Sequence, residues 1–328
     1  MTDRSGESAT VLVGDVGGTH ARFALVDIAE RGPWRIHTRQ DLEQGFPTFG
    51  DALHTYLERA KGLERPAAAA IAVAGPVTNG TARFTNRGWQ ISESELRHFG
   101  FRRALLINDF AALAFAVEIL DRGDLRSLGP ELAGEAGATI SIVGAGTGFG
   151  VSCLARYGER AVPMATEGGH IGFAPSDAAE LAVLQALWKR NERVSVERLL
   201  SGPGLETLYR TLEQIAGREP PALLAPEIVA RAAGHDAGCE AALTMFCSIY
   251  GTVAGDFALA HGARGGVYIA GGIAEKIERF LIASPFRHRF ESKGRLSPWV
   301  AAVPTRLIVN PDAALLGAAR AGVLLTPG

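Results

Sequence analysis

The chain has 328 residues, of which 47% are hydrophobic and 21% charged, the balance of a folded globular protein rather than a disordered one. Lys and Arg number 33 against 35 Asp and Glu, a formal net charge of −2. No basic excess points to nucleic acid and no polybasic cluster to a membrane surface, so neither is expected as a partner. The length accommodates two domains of ordinary size.

The first ten residues are polar and lack an apolar core, so a secretory signal is not expected. No uninterrupted apolar run approaches the roughly 18 residues of a membrane span. Three scattered cysteines, Cys153, Cys239 and Cys247, do not suit a disulfide framework and read as buried, reduced thiols. Together these features favour a cytoplasmic location.

In chain order, Val11–Val13 reads as a buried strand and Ala21–Val26 as its hairpin partner across a glycine turn. Helical spacing of Leu53, Tyr56 and Leu57 predicts a helix over Asp51–Ala60. Ala68–Ala74 reads as a strand stopped by Gly75-Pro76. Ser92 and Glu95 form an S-x-x-E pattern that opens a helix. Ala104–Ile107 predicts a strand running into Asn108-Asp109 and an alanine-rich helix from Phe110 to about Leu120. The second half repeats the theme, with a strand from Thr139, a glycine turn and a return strand over Gly150–Ala155. Asp177, with Glu180 three residues on, caps a helix reaching Trp188. Arg218–Pro226 reads as a Pro-rich surface loop. Leu243, Phe246, Tyr250, Val253 and Phe257 stripe a helix over Ala241–His261. Val267–Ala270 is a strand ending in Gly271-Gly272, and a last helix follows Asp312. Strands alternating with helices predict an α/β architecture, and the recurring strand–glycine turn–strand unit predicts two related halves.

Two glycine turns carry the chemistry: Gly14-Asp15-Val16-Gly17-Gly18-Thr19 and Gly144-Ala145-Gly146-Thr147-Gly148. Glycine lets backbone N–H groups approach an anion with no Cβ in the way. A P-loop is excluded because none of the four lysines follows a glycine. A dinucleotide fold needs G-x-G-x-x-G opening a helix, whereas residues 144–148 give G-x-G-x-G ahead of an extended segment; Glu167, about 20 residues on, is the feature that favours it. A β-hairpin clamp, in which backbone N–H groups and a threonine hydroxyl hold the phosphates of ATP, fits both turns and puts Asp15 near Mg²⁺. Tight hairpin turns with no ligand are the plain alternative.

Asn108-Asp109 stands where a buried strand gives way to a helix, the edge at which open α/β sheets bind ligands. Helix capping explains Asp109 by itself. A helix N-terminus also keeps a carboxylate ionised and able to accept a proton from a hydroxyl, and a weak base suffices for a loose phosphoryl-transfer transition state. Glu167-Gly168-Gly169-His170 joins an acid and an imidazole through two glycines too flexible for ordinary helix. With no H-x-x-x-H pair and no Cys/His cluster, His170 is not read as a metal ligand. Glu197 alone reads as a solvated helix residue.

These segments, with Thr85-Asn86-Arg87-Gly88-Trp89, residues 195–205 (S-x-E-R-x-L-S-G-P-G-L) and Ile269-Ala270-Gly271-Gly272-Ile273, resemble the bacterial ATP-dependent glucokinase family of the hexokinase/actin-like ATPase superfamily, in family order from about residue 11 to the C-terminus. The resemblance implies two actin-like (ribonuclease H-like) α/β domains flanking an active-site cleft, a small one of residues 1–117 plus 311–328 and a large one of residues 118–310. It implies transfer of the γ-phosphoryl of Mg-ATP to the 6-hydroxyl of glucose with Asp109 as general base. Asn108, Glu167, His170, Glu197 and Asn86 are then sugar-binding. Gly14, Asp15, Val16, Gly17, Gly18, Thr19, Gly144, Gly146, Thr147 and Gly148 clamp the phosphates, Gly271 and Gly272 lie near the adenosine, and Asp15 meets Mg²⁺ through water. The family also suggests a homodimer. His20 stands where the family frequently has asparagine, and its role is left open. A kinase for another hexose or N-acetylhexosamine, and a non-catalytic sugar-sensing regulator, share the fold; only about ten residues precede the first strand here, too few for a DNA-binding helix-turn-helix.

Overall fold

The computed structural model describes residues 9–17, 20–28, 34–42, 45–60, 63, 66–84, 88–158 and 160–325. The described residues up to Asp121, with those from Asn310 onward, pack as one compact unit, and Arg122–Val309 pack as a second.

The first unit is built on strands β1 (Ala9–Val16), β2 (Ala21–Ile28) and β3 (Arg35–Leu42), helix α1 (Phe49–Arg59), strands β4 (Ala68–Val73), β5 (Thr81–Arg83) and β6 (Gln90–Ser92), helix α2 (Glu93–His98), strand β7 (Arg103–Asn108) and helix α3 (Asp109–Ala116). Its main sheet has the order β3-β2-β1-β4-β7: the first three strands are antiparallel, and β1, β4 and β7 are parallel. Leu12, Phe23, Ile71, Phe49, Leu53 and Tyr56 fill the core on the α1 side. β3 is an edge strand of mostly exposed polar residues, with none of the alternation that would mark it in the sequence. α1 starts two residues before the predicted helix because Thr48 and Asp51 form a reciprocal capping box. α3 ends at Ala116 rather than near Leu120. Beyond it, Glu118 and Ile119 donate to carbonyls only three residues back, the tighter turn in which helices commonly fray.

The second unit holds strands β8 (Leu125–Ser127), β9 (Ile140–Ala145), β10 (Phe149–Tyr157) and β11 (Arg160–Thr166), helices α4 (Ala178–Trp188), α5 (Gly202–Ile215), α6 (Ala225–Ala233) and α7 (Ala237–His261), strand β12 (Gly266–Ala270), helices α8 (Gly272–Lys276), α9 (Glu278–Ala283), α10 (Phe286–Glu291) and α11 (Ser297–Ala301), and strand β13 (Thr305–Ile308). The order β11-β10-β9-β12-β13-β8 repeats the topology of the first sheet, with β8 added antiparallel at the far edge. The duplicated plan predicted from the recurring glycine turns is therefore present strand for strand. Helix α12 (Ala313–Leu325) returns to the first unit and packs on α3.

α7 is the central helix of the second core, with Phe246, Tyr250, Val253 and Ala254 buried. It begins one turn before the predicted start, at Ala237, capped by Asp236, whose carboxylate accepts the Cys239 N–H. It is long and apolar enough to cross a bilayer by length and composition, and most of its apolar stretch is buried inside the unit. The predicted loop over Arg218–Pro226 runs two residues too far, since α6 starts at Ala225. Pro226 sits in the first turn of α6, where its missing N–H costs nothing. Asp177 caps α4 as predicted by accepting from Glu180 N, but the Glu180 carboxylate does not return to Asp177 N. It takes the Ser176 N–H and a buried ion pair with Arg289 of α10. All three cysteines are buried and free.

Candidate active site

In the first unit the carboxyl ends of three parallel strands form one row. Val16 is in register with Val73, and Val73 with Asn108. The turn after β1 and the Asn108-Asp109 pair therefore leave the same edge of one sheet, where backbone groups no longer pair with a neighbouring strand. Gly14, Asp15 and Val16 belong to β1 itself, so the turn proper begins at Gly17, whose N–H donates to His20 O at 2.9 Å. Gly14 is small because the strand packs on Ile71 and Phe23, where a Cβ would come within 2.8 Å of the Ile71 side chain. Gly18, Thr19 and Asn86 lie outside the described residues.

Asp15 faces Arg22 across the β1–β2 pair at 3.7 Å. Burial pushes its carboxyl above the usual aspartate range, against the opposing pull of the Arg22 guanidinium. Beyond Arg22 the charges continue outward. Arg22 lies 3.9 Å from Asp41, Arg39 holds Asp41 through two contacts, and Arg39 also reaches the Asp312 carboxylate at 2.6 Å. This ladder ties the outer strands to the start of α12. Sequence reading missed it, although Arg39 and Asp41, two apart on one strand, necessarily share a face.

At the end of β7 the cap is Asn108, not Asp109. The Asn108 Oδ1 accepts the N–H groups of Phe110 at 3.0 Å and Ala111 at 3.1 Å. Its Nδ2 donates to Gly75 O at 3.2 Å and to Asp109 Oδ1 at 3.1 Å. Asp109, the first residue of α3, also takes the Phe110 N–H on Oδ1 at 2.9 Å. These bonds fix the carboxylate in one orientation at the sheet edge. They also engage both amide hydrogens of Asn108.

In the second unit, β9 and β12 are parallel neighbours, with Ala270 in register with Gly144. The turn of residues 146–148 and the Gly271-Gly272 pair therefore emerge side by side. Gly146 N donates to Gly148 O at 2.8 Å, closing the turn. Gly271 adopts a left-handed backbone, φ +88°, and an added Cβ would lie 2.4 Å from Ala145 O. Only glycine fits there.

Gly168–His170 forms a single 3-10 turn. Its glycines serve close packing rather than looseness: a Cβ on Gly169 would lie 2.0 Å from Phe149 O, and one on Gly168 would strike Phe257 and Val151. Glu197 is not on a helix. It lies in the turn between Ser195, bridged to Gly172, and the start of α5. The His170 Nε2 is 3.9 Å from Glu167 Oε2 and 4.0 Å from Glu197 Oε1, so three polar side chains converge. Arg193 holds the His170 carbonyl at 2.6 Å, a contact not foreseen from the sequence. The cluster offers two carboxylates and an imidazole to a hydroxyl-rich ligand.

A family model described as glucokinase matches residues 12–323. A glucokinase of Caulobacter sp. (strain K31) is 48% identical over 318 residues, covering 96% of this chain and 95% of that protein. A crystal structure of glucokinase from an Antarctic psychrotroph superposes with a TM-score of 0.88 at 35% identity, covering 97% of this chain and 99% of that one. A ROK family glucokinase from Streptomyces griseus, crystallised with glucose and AMPPNP, shares the fold at 18% identity and a TM-score of 0.64, covering 96% and 99%. The duplicated sheets are thus those of an actin-like sugar kinase, and the match along nearly the whole length means that the chain belongs to the glucokinase family.

Proposed function

We propose that this chain phosphorylates glucose: the 6-hydroxyl oxygen attacks the γ-phosphorus of ATP, the bond to the β-bridging oxygen breaks, and glucose 6-phosphate and ADP leave. The hydroxyl proton passes to the carboxylate of Asp109. The observation that carries this reading is the row Val16–Val73–Asn108, which sets the first glycine turn and Asp109 on one sheet edge. Family membership and the converging Glu167, His170 and Glu197 support glucose as acceptor. Acceptors that a bound sugar covers without giving them a hydroxyl partner stay unpaired, which is how a site built to bond hydroxyls rejects deoxy analogues. The Streptomyces griseus protein with glucose and AMPPNP supports ATP as donor.

The backbone N–H groups of Thr147 and Gly148 and the Thr147 hydroxyl suit phosphate oxygens, and Gly146 and Gly272 have open space where a Cβ would stand. Among the described residues no three metal-ligating side chains cluster. The lone carboxylate of Asp15 at the strand end therefore fits Mg²⁺ held mainly by water and phosphate, rather than by an all-protein cage. When bound, Mg²⁺ supplies neutralisation of charge on the β- and γ-phosphoryl oxygens.

A coupled assay of ADP release with Mg-ATP and a panel of hexoses tests the reading. Glucose is expected to give the highest kcat/KM. A higher value with mannose, fructose or N-acetylmannosamine, or no turnover with any sugar, would overturn it.

A further inference from the structure

Tyr250, midway along α7, is wholly buried and takes no part in the chemistry above. Its phenol oxygen lies where two parallel strands end. It accepts the Ala145 N–H at 3.3 Å, and the carbonyl oxygens of Val143 at 3.3 Å and Ala270 at 3.4 Å lie within reach of its proton. Ala145 closes β9 and leads into residues 146–148, while Ala270 closes β12 and leads into Gly271-Gly272. The ring meets Phe149, the first residue after the second glycine turn, edge-on at 5.5 Å. One side chain thus touches the entry and exit of one turn and the entry of the next.

Packing alone does not call for a tyrosine here. Phe246 and Phe286 already surround the ring edge-on at 6.0 and 5.7 Å, and a phenylalanine would keep all three contacts. A hydroxyl in such apolar surroundings is tolerated only where its hydrogen-bonding capacity is used. This one serves backbone groups where the β9–β12 ladder ends. The next residue, Gly251, lets α7 close on α10 behind the ring, since a Cβ there would lie 2.1 Å from Phe286 O.

We infer that Tyr250 is a positioning residue for the nucleotide: its hydroxyl holds the stems of residues 146–148 and 271–272 together, so that both turns are preorganised for ATP. The inference rests on the reading of these turns as nucleotide-binding. Removing the hydroxyl leaves the Ala145 N–H buried without this acceptor and loosens the stem on the β12 side. The opposite stem keeps its own anchor, the bond from Phe149 N to Glu197 at 2.9 Å, and with it the link to the Glu167–His170 cluster. Nucleotide affinity therefore falls while sugar affinity does not.

The test compares Tyr250→Phe with Phe246→Leu, which trims the same aromatic cluster but touches neither turn. Tyr250→Phe is expected to raise the KM for ATP and the inhibition constant for ADP by about tenfold, with the KM for glucose within about twofold of the parent. Phe246→Leu is expected to lower Tm and leave both KM values unchanged. A KM for ATP unchanged in Tyr250→Phe, or equal rises for ATP and glucose, would overturn the assignment. If the parent chain phosphorylates no sugar with ATP, the active-site reading fails first and the assignment falls with it. Should Tyr250→Phe not fold, hydrogen exchange in the parent decides: slower exchange of the Ala145 amide on adding AMPPNP supports the role, and no change refutes it.

Discussion

Glu197 Oε2 accepts the backbone N–H of Phe149 at 2.9 Å, and the Glu197 N–H donates to Gly169 O at the same distance. One residue therefore fastens the exit of the second glycine turn to the 3-10 turn that carries Glu167 and His170. An added Cβ on Gly148 would lie 2.4 Å from the same carboxylate oxygen, which shows how closely the turn is drawn down on it. Substitution by alanine is expected to raise the KM for both ATP and glucose by roughly 10- to 100-fold, the worth of a hydrogen bond to a charged group. Glu197→Gln keeps an oxygen for Phe149 and should restore the KM for ATP while that for glucose stays high. Steady-state kinetics with each substrate varied would show this split; identical ATP constants in the two variants would refute it.

Asp109→Asn preserves the size of the side chain and an oxygen for the Phe110 N–H, so the end of β7 and the start of α3 should stay intact. What is lost is the proton acceptor. Turnover is expected to fall by roughly 10²–10⁴ while glucose still binds. Calorimetric titration with glucose beside the coupled assay separates the two quantities. Unchanged turnover would remove Asp109 as the base.

Much of this was legible because it was local. A glycine run behind an apolar strand marks a special backbone whatever lies around it, and both strands stand where the sequence put them, though each extends into its glycine run, to Val16 and to Ala145. The assignment of the cap between Asn108 and Asp109 turned on side-chain direction, which the dipeptide does not encode. Strand β11 escaped notice for a different reason. It is an edge strand whose Pro163 argues against a central one, and edge strands tolerate both proline and exposed side chains. Glu197 and Tyr250 were hidden by distance along the chain: their partners lie 48 and up to 107 residues away. A stripe of apolar residues on α7 correctly made Tyr250 a core residue. The pattern could not say that its hydroxyl meets the ends of two strands.

His261, the last residue of α7, lies against the Phe257 ring, and its Nδ1 is 2.9 Å from Ser141 Oγ. Burial lowers its pKa below the ordinary value near 6.5. The folded state thus resists protonation more than the unfolded chain does. Its contribution to stability is full above the unfolded-state pKa and is lost as the pH falls from there toward the folded-state value. The melting temperature followed by circular dichroism should therefore decline between about pH 7 and pH 5. His261→Gln, which keeps a hydrogen-bonding side chain without the titration, should flatten that decline. An equally steep profile in the variant would place the dependence elsewhere.

The crossing of α12 over α3 is set by Gly317. A Cβ built there would lie 1.9 Å from Ala112 O and 3.1 Å from Ala116 N, so the helices touch backbone to backbone. Two effects oppose each other in Gly317→Ala. Alanine gains about 1 kcal/mol of helix propensity over glycine, whereas forcing an atom into a filled contact typically costs about 1–3 kcal/mol, and more when backbone must move. Because the obstacle is backbone at both atoms, the steric cost should win, with net destabilisation of about 1–3 kcal/mol measured by urea unfolding. The same shift would strain α3, whose first residue is Asp109. Turnover should accordingly fall more than the KM for ATP rises, and a variant as stable and as active as the parent would show that the two helices do not pack this closely.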